Sequence, residues 1–191
     1  MGPVRPVLAV ILLAIAIALA GCGNTRTPAP PTGLIPAPKD FREVKYSADG
    51  ISLRVPANWR AVQGTGSQLA TIAIGDAQIA LWRYSRSEPL PETRAQLHAA
   101  RQALVAQVQR RDSTFELTSS RLVIKRGLRA VELLGQATNQ GERRSVRSLH
   151  AFGHGIEVVV DAFAPPKDFA RVDEQTFGPV TRSLRLFRPV S

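Results

Sequence analysis

The chain has 191 residues and a formal net charge of +10, with 25 basic and 15 acidic side chains, and arginine supplies most of the positive charge. A single cysteine excludes a disulfide framework and a multi-cysteine metal site. No nucleic-acid reading motif accompanies the charge, and the chain is too short for a two-lobed solute receptor.

The N-terminus sets Arg5 ahead of an unbroken apolar run from Val7 to Ala20, which closes as Leu19-Ala20-Gly21-Cys22. A positive start, a short apolar segment and small residues before the cut make a secretory signal. A membrane-spanning helix needs roughly 20 apolar residues, more than this run supplies. With the cysteine placed just after the cut, Leu19, Ala20, Gly21 and Cys22 resemble the lipobox of bacterial lipoproteins. The resemblance implies that Cys22 becomes the mature N-terminus and carries a diacylglyceryl group on its sulfur, with acyl chains of the palmitate kind. It places the protein on the extracytoplasmic side of the cell membrane, held by lipid, and leaves no thiol for catalysis or metal binding. Two acyl chains hold a protein stably where one does so marginally.

Residues 1–21 are thus expected to be a signal peptide and 22–39 a lipidated N-terminus and linker. Five prolines between Gly23 and Lys39 favour extended backbone. At ~3.1 Å per residue this tether reaches on the order of 50 Å. Residues 40–191 then form one domain of ordinary size.

Within the domain, Phe41 to Tyr46 reads as a strand and Ser47-Ala48-Asp49-Gly50 as a turn. Ile51, Leu53 and Val55 alternate with Ser52 and Arg54, a half-buried strand stopped by Pro56. Leu69–Ile74 and Ala77–Tyr84 flank Gly75-Asp76, a second hairpin. Thr93–Arg111 is the long helix: Thr93 and Gln96 have capping-box spacing, and Leu97, Leu104 and Val108 share a side with Ala100. Strands follow at Glu116–Ile124, Leu128–Thr138, Arg143–Phe152 and Ile156–Ala164, with breaks short enough for an antiparallel meander. Ala77–Tyr84 and Ile156–Ala164 are apolar on both faces, which predicts a layer on each side. One layer is the long helix; the other is the C-terminal segment carrying Phe169, Val172, Phe177, Val180 and Leu184. Gly178-Pro179 predicts a break or kink in it.

The run from Tyr46 to Trp59, a strand ending in proline, a short turn and a tryptophan, resembles the opening of PsbP/Mog1-like domains, as found in small actinobacterial lipoproteins. The phenylalanine-bearing segment that runs into Ser183-Leu184 resembles their ending. The resemblance implies an α+β fold, an antiparallel sheet sandwiched between helices. Functions in these families vary, from photosystem accessory subunit to small-GTPase binder, and no catalytic residue carries over.

Chemistry-bearing motifs are sparse. His150 and His154 lie four apart, but on a strand and a glycine turn rather than a helix, so no metal site is expected. Gly64-Thr65-Gly66-Ser67 lacks both the flanked-serine elbow and the lysine of a phosphate loop. Asp161 interrupts an apolar strand, either as a perturbed buried acid or as an outward or arginine-paired one. Trp59 closes one end of the sheet or lines a pocket.

Arginine suits phosphate and carboxylate partners. Lys125, Arg126 and Arg129, with Arg143, Arg144 and Arg147, are the candidate contacts to an anionic partner; Arg182, Arg185 and Arg188 form a further concentration. The reading is a lipid-anchored envelope protein with a non-enzymatic binding or scaffold domain, partnered by an envelope protein, anionic lipid or wall polymer. It needs no cofactor and takes no nucleic acid. Two alternatives stay open: a carrier of a lipid or other apolar small molecule between sheet and helix, and an enzyme with an unrecognised site, for which Asp161 is the residue to test.

Overall fold

The computed structural model describes residues 35–125, 127–139 and 141–189. Among the described residues, contacts with the core begin before Asp40. Ile35, in the stretch read as linker, is 2% exposed in the core, and Arg171 Nη1 donates to its carbonyl at 2.8 Å. Cys22, Leu19, Ala20, Gly21 and Arg126 lie outside the described residues.

The alternating run at the start folds as β1 (Phe41–Tyr46) and β2 (Ile51–Pro56), paired antiparallel around a tight turn at Ser47–Asp49. Gly50 ends that turn with φ +70°, and a Cβ there would overlap the Phe187 carbonyl oxygen. The Asp-Gly signal thus marks a position that needs glycine for both its backbone angle and the close approach. β10 (Arg185–Leu186) joins the other edge of β2, completing a three-stranded sheet.

The main sheet has seven antiparallel strands. β3 (Arg60–Gln63), β4 (Gln68–Ile74) and β5 (Ala77–Ser85) lead to α1 (Arg94–Arg111). Then β6 (Glu116–Lys125), β7 (Leu128–Asn139), β8 (Glu142–Gly153) and β9 (Ile156–Ala164) follow as a meander. β9 pairs with β5, giving the order β3-β4-β5-β9-β8-β7-β6. The two strands that read as apolar on both faces are neighbours near its centre.

Each face has its own core. On one face Ile79, Leu81, Val158 and Val160 pack with Ile51, Leu53 and Val55 of the small sheet and with Val172, Phe177 and Val180 of the C-terminal segment. On the other, Leu97 and Leu104 of α1 pack on Val131 and Leu133 of β7. The capping box forms: Gln96 N–H donates to Thr93 Oγ1 at 3.2 Å, and Thr93 N–H to Gln96 Oε1 at 2.9 Å. The expected α+β sandwich is therefore the observed one, with the small sheet sharing the C-terminal layer.

That layer differs from expectation in one respect. α2 (Pro166–Val172) and α3 (Gly178–Ser183) are joined by a π turn at Asp173–Phe177, so the irregularity falls one turn before Gly178-Pro179. The Gly178 N–H reaches back five residues to the Asp173 carbonyl. Pro179 has no N–H to offer and follows directly; the widened register relieves the clash its ring would cause in a tight α turn. Trp59 is core: it is 3% exposed and meets the Phe177 ring edge-on at 6.2 Å.

Candidate functional site: two cavities on opposite faces of the sheet

Side chains alternate across a strand, so neighbouring residues in the middle of β7 and β8 serve different cavities. Glu132 and Leu149 line a groove of about 610 Å³ beside the C-terminal segment, while Leu133, Ser148 and His150 line a cavity of about 450 Å³ beside α1. Both volumes are ordinary for small-molecule sites, roughly 300–1,000 Å³.

The groove is basic. Lys125 from the end of β6, Arg129 from the start of β7, and Arg182 and Arg185 from α3 and β10 line it, all exposed. Among the described residues none of these four forms an ion pair. Glu132 is an acid in the lining, and it is already committed to Arg121 at 2.6 Å and to Arg147. Val123, Leu149, Leu184 and Leu186 supply an apolar floor. The result is an amphipathic slot with a surplus of cations.

Register explains why the five described basic candidates separate. Arg129 pairs with Phe152 at one end of the β7–β8 hairpin, while Arg143 pairs with Thr138 near the other. Lys125 and Arg129 stay in the groove. Arg143 forms an ion pair with Glu116 at 2.5 Å, and Arg144 Nη1 donates to the Asp76 carbonyl at 3.1 Å. Arg147 is 8% exposed and carries both oxygens of Asp173 as well as Glu132. Burial opposes its charge, but the Asp173 and Glu132 carboxylates outweigh that and hold the guanidinium above its ordinary pKa. It fastens the π turn to the sheet and has no free face for a ligand.

The α1-side cavity holds a chain of polar groups that the sequence reading missed. Ser148 Oγ lies 3.1 Å from His150 Nε2 and 2.5 Å from Asp161 Oδ1. His150 Nδ1 lies 2.7 Å from Glu157 Oε1, and Arg86 Nε donates to Glu157 Oε2 at 2.8 Å. The signal was available in the Gly153-His154-Gly155 turn. That turn fixes the pairs Ser148↔Asp161 and Phe152↔Glu157, which puts four polar side chains on one face. Asp161 meets a serine hydroxyl rather than an arginine. His150 and His154 serve different cavities, His154 lining the basic groove at a turn with φ 51°. Among the described residues no cluster of three His, Cys, Asp or Glu side chains is placed to hold a metal ion.

The two acids are tuned oppositely. Burial raises the Asp161 pKa, only partly offset by the Ser148 hydrogen bond and the charges of His150 and Arg111. For Glu157 burial is outweighed by His150 and then Arg86, which hold its pKa below the ordinary range. A raised folded-state pKa means the folded chain binds the extra proton, so stability falls as pH climbs from the ordinary carboxylate value, about 4, through the raised one. Asp161→Asn is therefore expected to be more stable than the parent at pH 8 and to lose that advantage by pH 4. Glu157 contributes the reverse, a stabilisation lost as acid titrates it. Urea midpoints at the two pH values check this; an equal Asp161→Asn difference at both would contradict it.

No family model and no curated protein matches the sequence. Among solved structures, cyanobacterial PsbP (CyanoP) from Synechocystis superposes with a TM-score of 0.61 at 13% identity, over 83% of this chain and 96% of that one. The fold is PsbP-like. LpqN, a Mycobacterium tuberculosis protein involved in cell envelope biogenesis, gives a TM-score of 0.54 at 15% identity, over 78% and 91% of the two chains. A Bacteroides thetaiotaomicron protein gives 0.50 at 8% identity, covering 77% of this chain and 48% of its own. At these identities the likeness establishes the PsbP-like architecture alone. Among the described residues no helix is long and apolar enough to cross a membrane.

Proposed function

We propose that this PsbP-like domain is a non-enzymatic envelope module, tethered by lipid at Cys22, that holds an anionic amphiphile or acidic wall polymer in the basic groove. The observation that carries the reading is that Lys125, Arg129, Arg182 and Arg185 border one apolar-floored slot whose lining acid, Glu132, is already paired. Arginine forks bind phosphate and carboxylate oxygens in pairs, and the floor accepts the apolar part of the same molecule. The lipobox-like N-terminus and the proline-rich tether support the location, since they keep the groove within reach of a bilayer surface.

The test uses the lipidated chain in nanodiscs of neutral lipid, titrated with short-chain phosphatidylglycerol and phosphatidylcholine. The anionic lipid is expected to bind selectively and to weaken with salt. At ~1 kcal/mol per basic residue, Arg129→Glu with Arg182→Glu is expected to cost at least about 2 kcal/mol, roughly 30-fold in affinity. Equal binding of the two lipids, or affinity insensitive to salt, would contradict the reading.

A further inference from the structure

The α1-side cavity is independent of the basic groove and differs from it in chemistry. Its two ends are set by register. Val146 and Phe163 pair at one end, beside Ala137 and Phe115, and make an apolar pouch closed by Val108 of α1. Two pairs further along, on the same face, stand Ser148 and Asp161, then His150, then Glu157 with Arg86. The charged side chains of the lining are Arg86 and Arg111 against Asp112, Glu157 and Asp161, and Arg86 is paired with Glu157, so no surplus of cations is left to select an anionic head. The remaining polar groups form a chain of hydroxyl, imidazole and carboxyl whose protons can be ordered either way, which suits a group that both donates and accepts. Asp161 stands in the cavity wall with a serine hydroxyl as its hydrogen-bond partner and, among the described residues, no ion pair, a placement that serves a ligand better than it serves stability.

We propose that this cavity binds a neutral amphiphile with a hydroxylated head, of the monoacylglycerol or fatty-alcohol class. The chain lies against Val108, Phe115 and Phe163, and the hydroxyl joins the Ser148–Asp161 pair. The spacing of Ser148, His150 and Glu157 also has the look of a nucleophile, base and orienting acid. β8 is paired on both sides at Ser148, with Leu133 and with Asp161, so its backbone is committed to the sheet and offers no free N–H to an oxyanion. The Ser148 hydroxyl is moreover shared with Asp161. Binding, not cleavage, is what the site is built for.

The experiment is photolabelling of the full lipidated chain in nanodiscs with a diazirine-bearing 1-monoacylglycerol, adducts being located by mass spectrometry. Adducts are expected on α1 near Val108 and on β8 and β9 near Val146 and Phe163. Ser148→Val is expected to lower labelling about five- to tenfold, the loss of one or two hydrogen bonds, and Ala137→Trp, which fills the pouch, to abolish it. Val108→Trp fills the same space from the helix and replaces Ala137→Trp if that variant does not fold. Arg129→Glu is expected to leave labelling unchanged, which separates this site from the groove. Unlabelled monoacylglycerol is expected to compete better than the carboxylate or amine of equal length. Adducts spread along the chain, or undiminished in the filled variants, would overturn the site. Stronger competition by the carboxylate or amine would overturn the ligand class, and release of fatty acid with acylated Ser148 would overturn binding in favour of hydrolysis.

Discussion

Arg147→Ala is expected to lower the unfolding free energy by about 3–5 kcal/mol, the cost of breaking a buried ion pair by removing one partner. The Arg147 guanidinium holds the Asp173 oxygens at 2.5 and 2.6 Å and donates its third bond to Glu132. Glu132 is 4% exposed. Without Arg147 it keeps only Arg121, whose side chain is 67% exposed and correspondingly well screened. The π turn loses its fastening at the same time. Replacing the pair together, as Arg147→Met with Glu132→Leu, removes the stranded charge and is expected to recover most of the loss. Urea unfolding followed by tryptophan fluorescence checks both. A single variant within about 1 kcal/mol of the parent, the scale of an exposed pair, would mean that the interior tolerates an unpaired Glu132. The network also bears on function, because the segment it pins carries Arg182 and Arg185 into the groove.

Phe177→Ala is expected to cost a similar amount, about 3–5 kcal/mol, for a different reason. Phe177 is fully buried at the end of the π turn, with its ring 6.2 Å from Trp59 and 5.9 Å from Phe169. Removing it leaves a void where the small sheet, the main sheet and the C-terminal segment meet, and rigid layers relax into such a void only partly. Phe177→Leu is expected to lose less than about 1.5 kcal/mol, since volume is nearly kept. Calorimetry on the two variants separates the cavity cost from the aromatic contact. Equal losses would assign the stability to ring geometry instead.

The strands were legible where alternation and turn chemistry coincide. Ile51, Leu53 and Val55 alternate ahead of Pro56, and the Gly75-Asp76, Gly141 and Gly153-His154-Gly155 turns punctuate the hairpins at the observed places. The double-faced apolarity of β5 and β9 announced their central position. β3 was not legible because Arg60–Gln63 is exposed throughout and is a strand only through its pairing with β4. The two residues of β10 carry no periodicity at all. In the C-terminal layer Pro179 showed that something must give, but the chain gives one turn earlier, where Asp173 gains Arg147 by widening the helix. The basic candidates were read from closeness in sequence, whereas β-strand register sends Arg143 and Arg144 to the far end of the hairpin and Arg147 inside. The polar chain from Arg86 to Asp161 joins β8, β9 and the residue that follows β5, and only the register makes it a single object.

The partner proposed for the basic groove is an anionic envelope component. A photo-crosslinking amino acid at position 185, in the full lipidated chain within its native envelope, tests it most directly, with the same reporter at His98 on the exposed side of α1 and a Cys22→Ala chain as comparisons. Adducts carrying anionic lipid or wall polymer are expected at position 185, few at position 98, with a sharp fall in the Cys22→Ala chain. Equal adducts at both positions, or none at 185 while the anchored chain is intact, would contradict it.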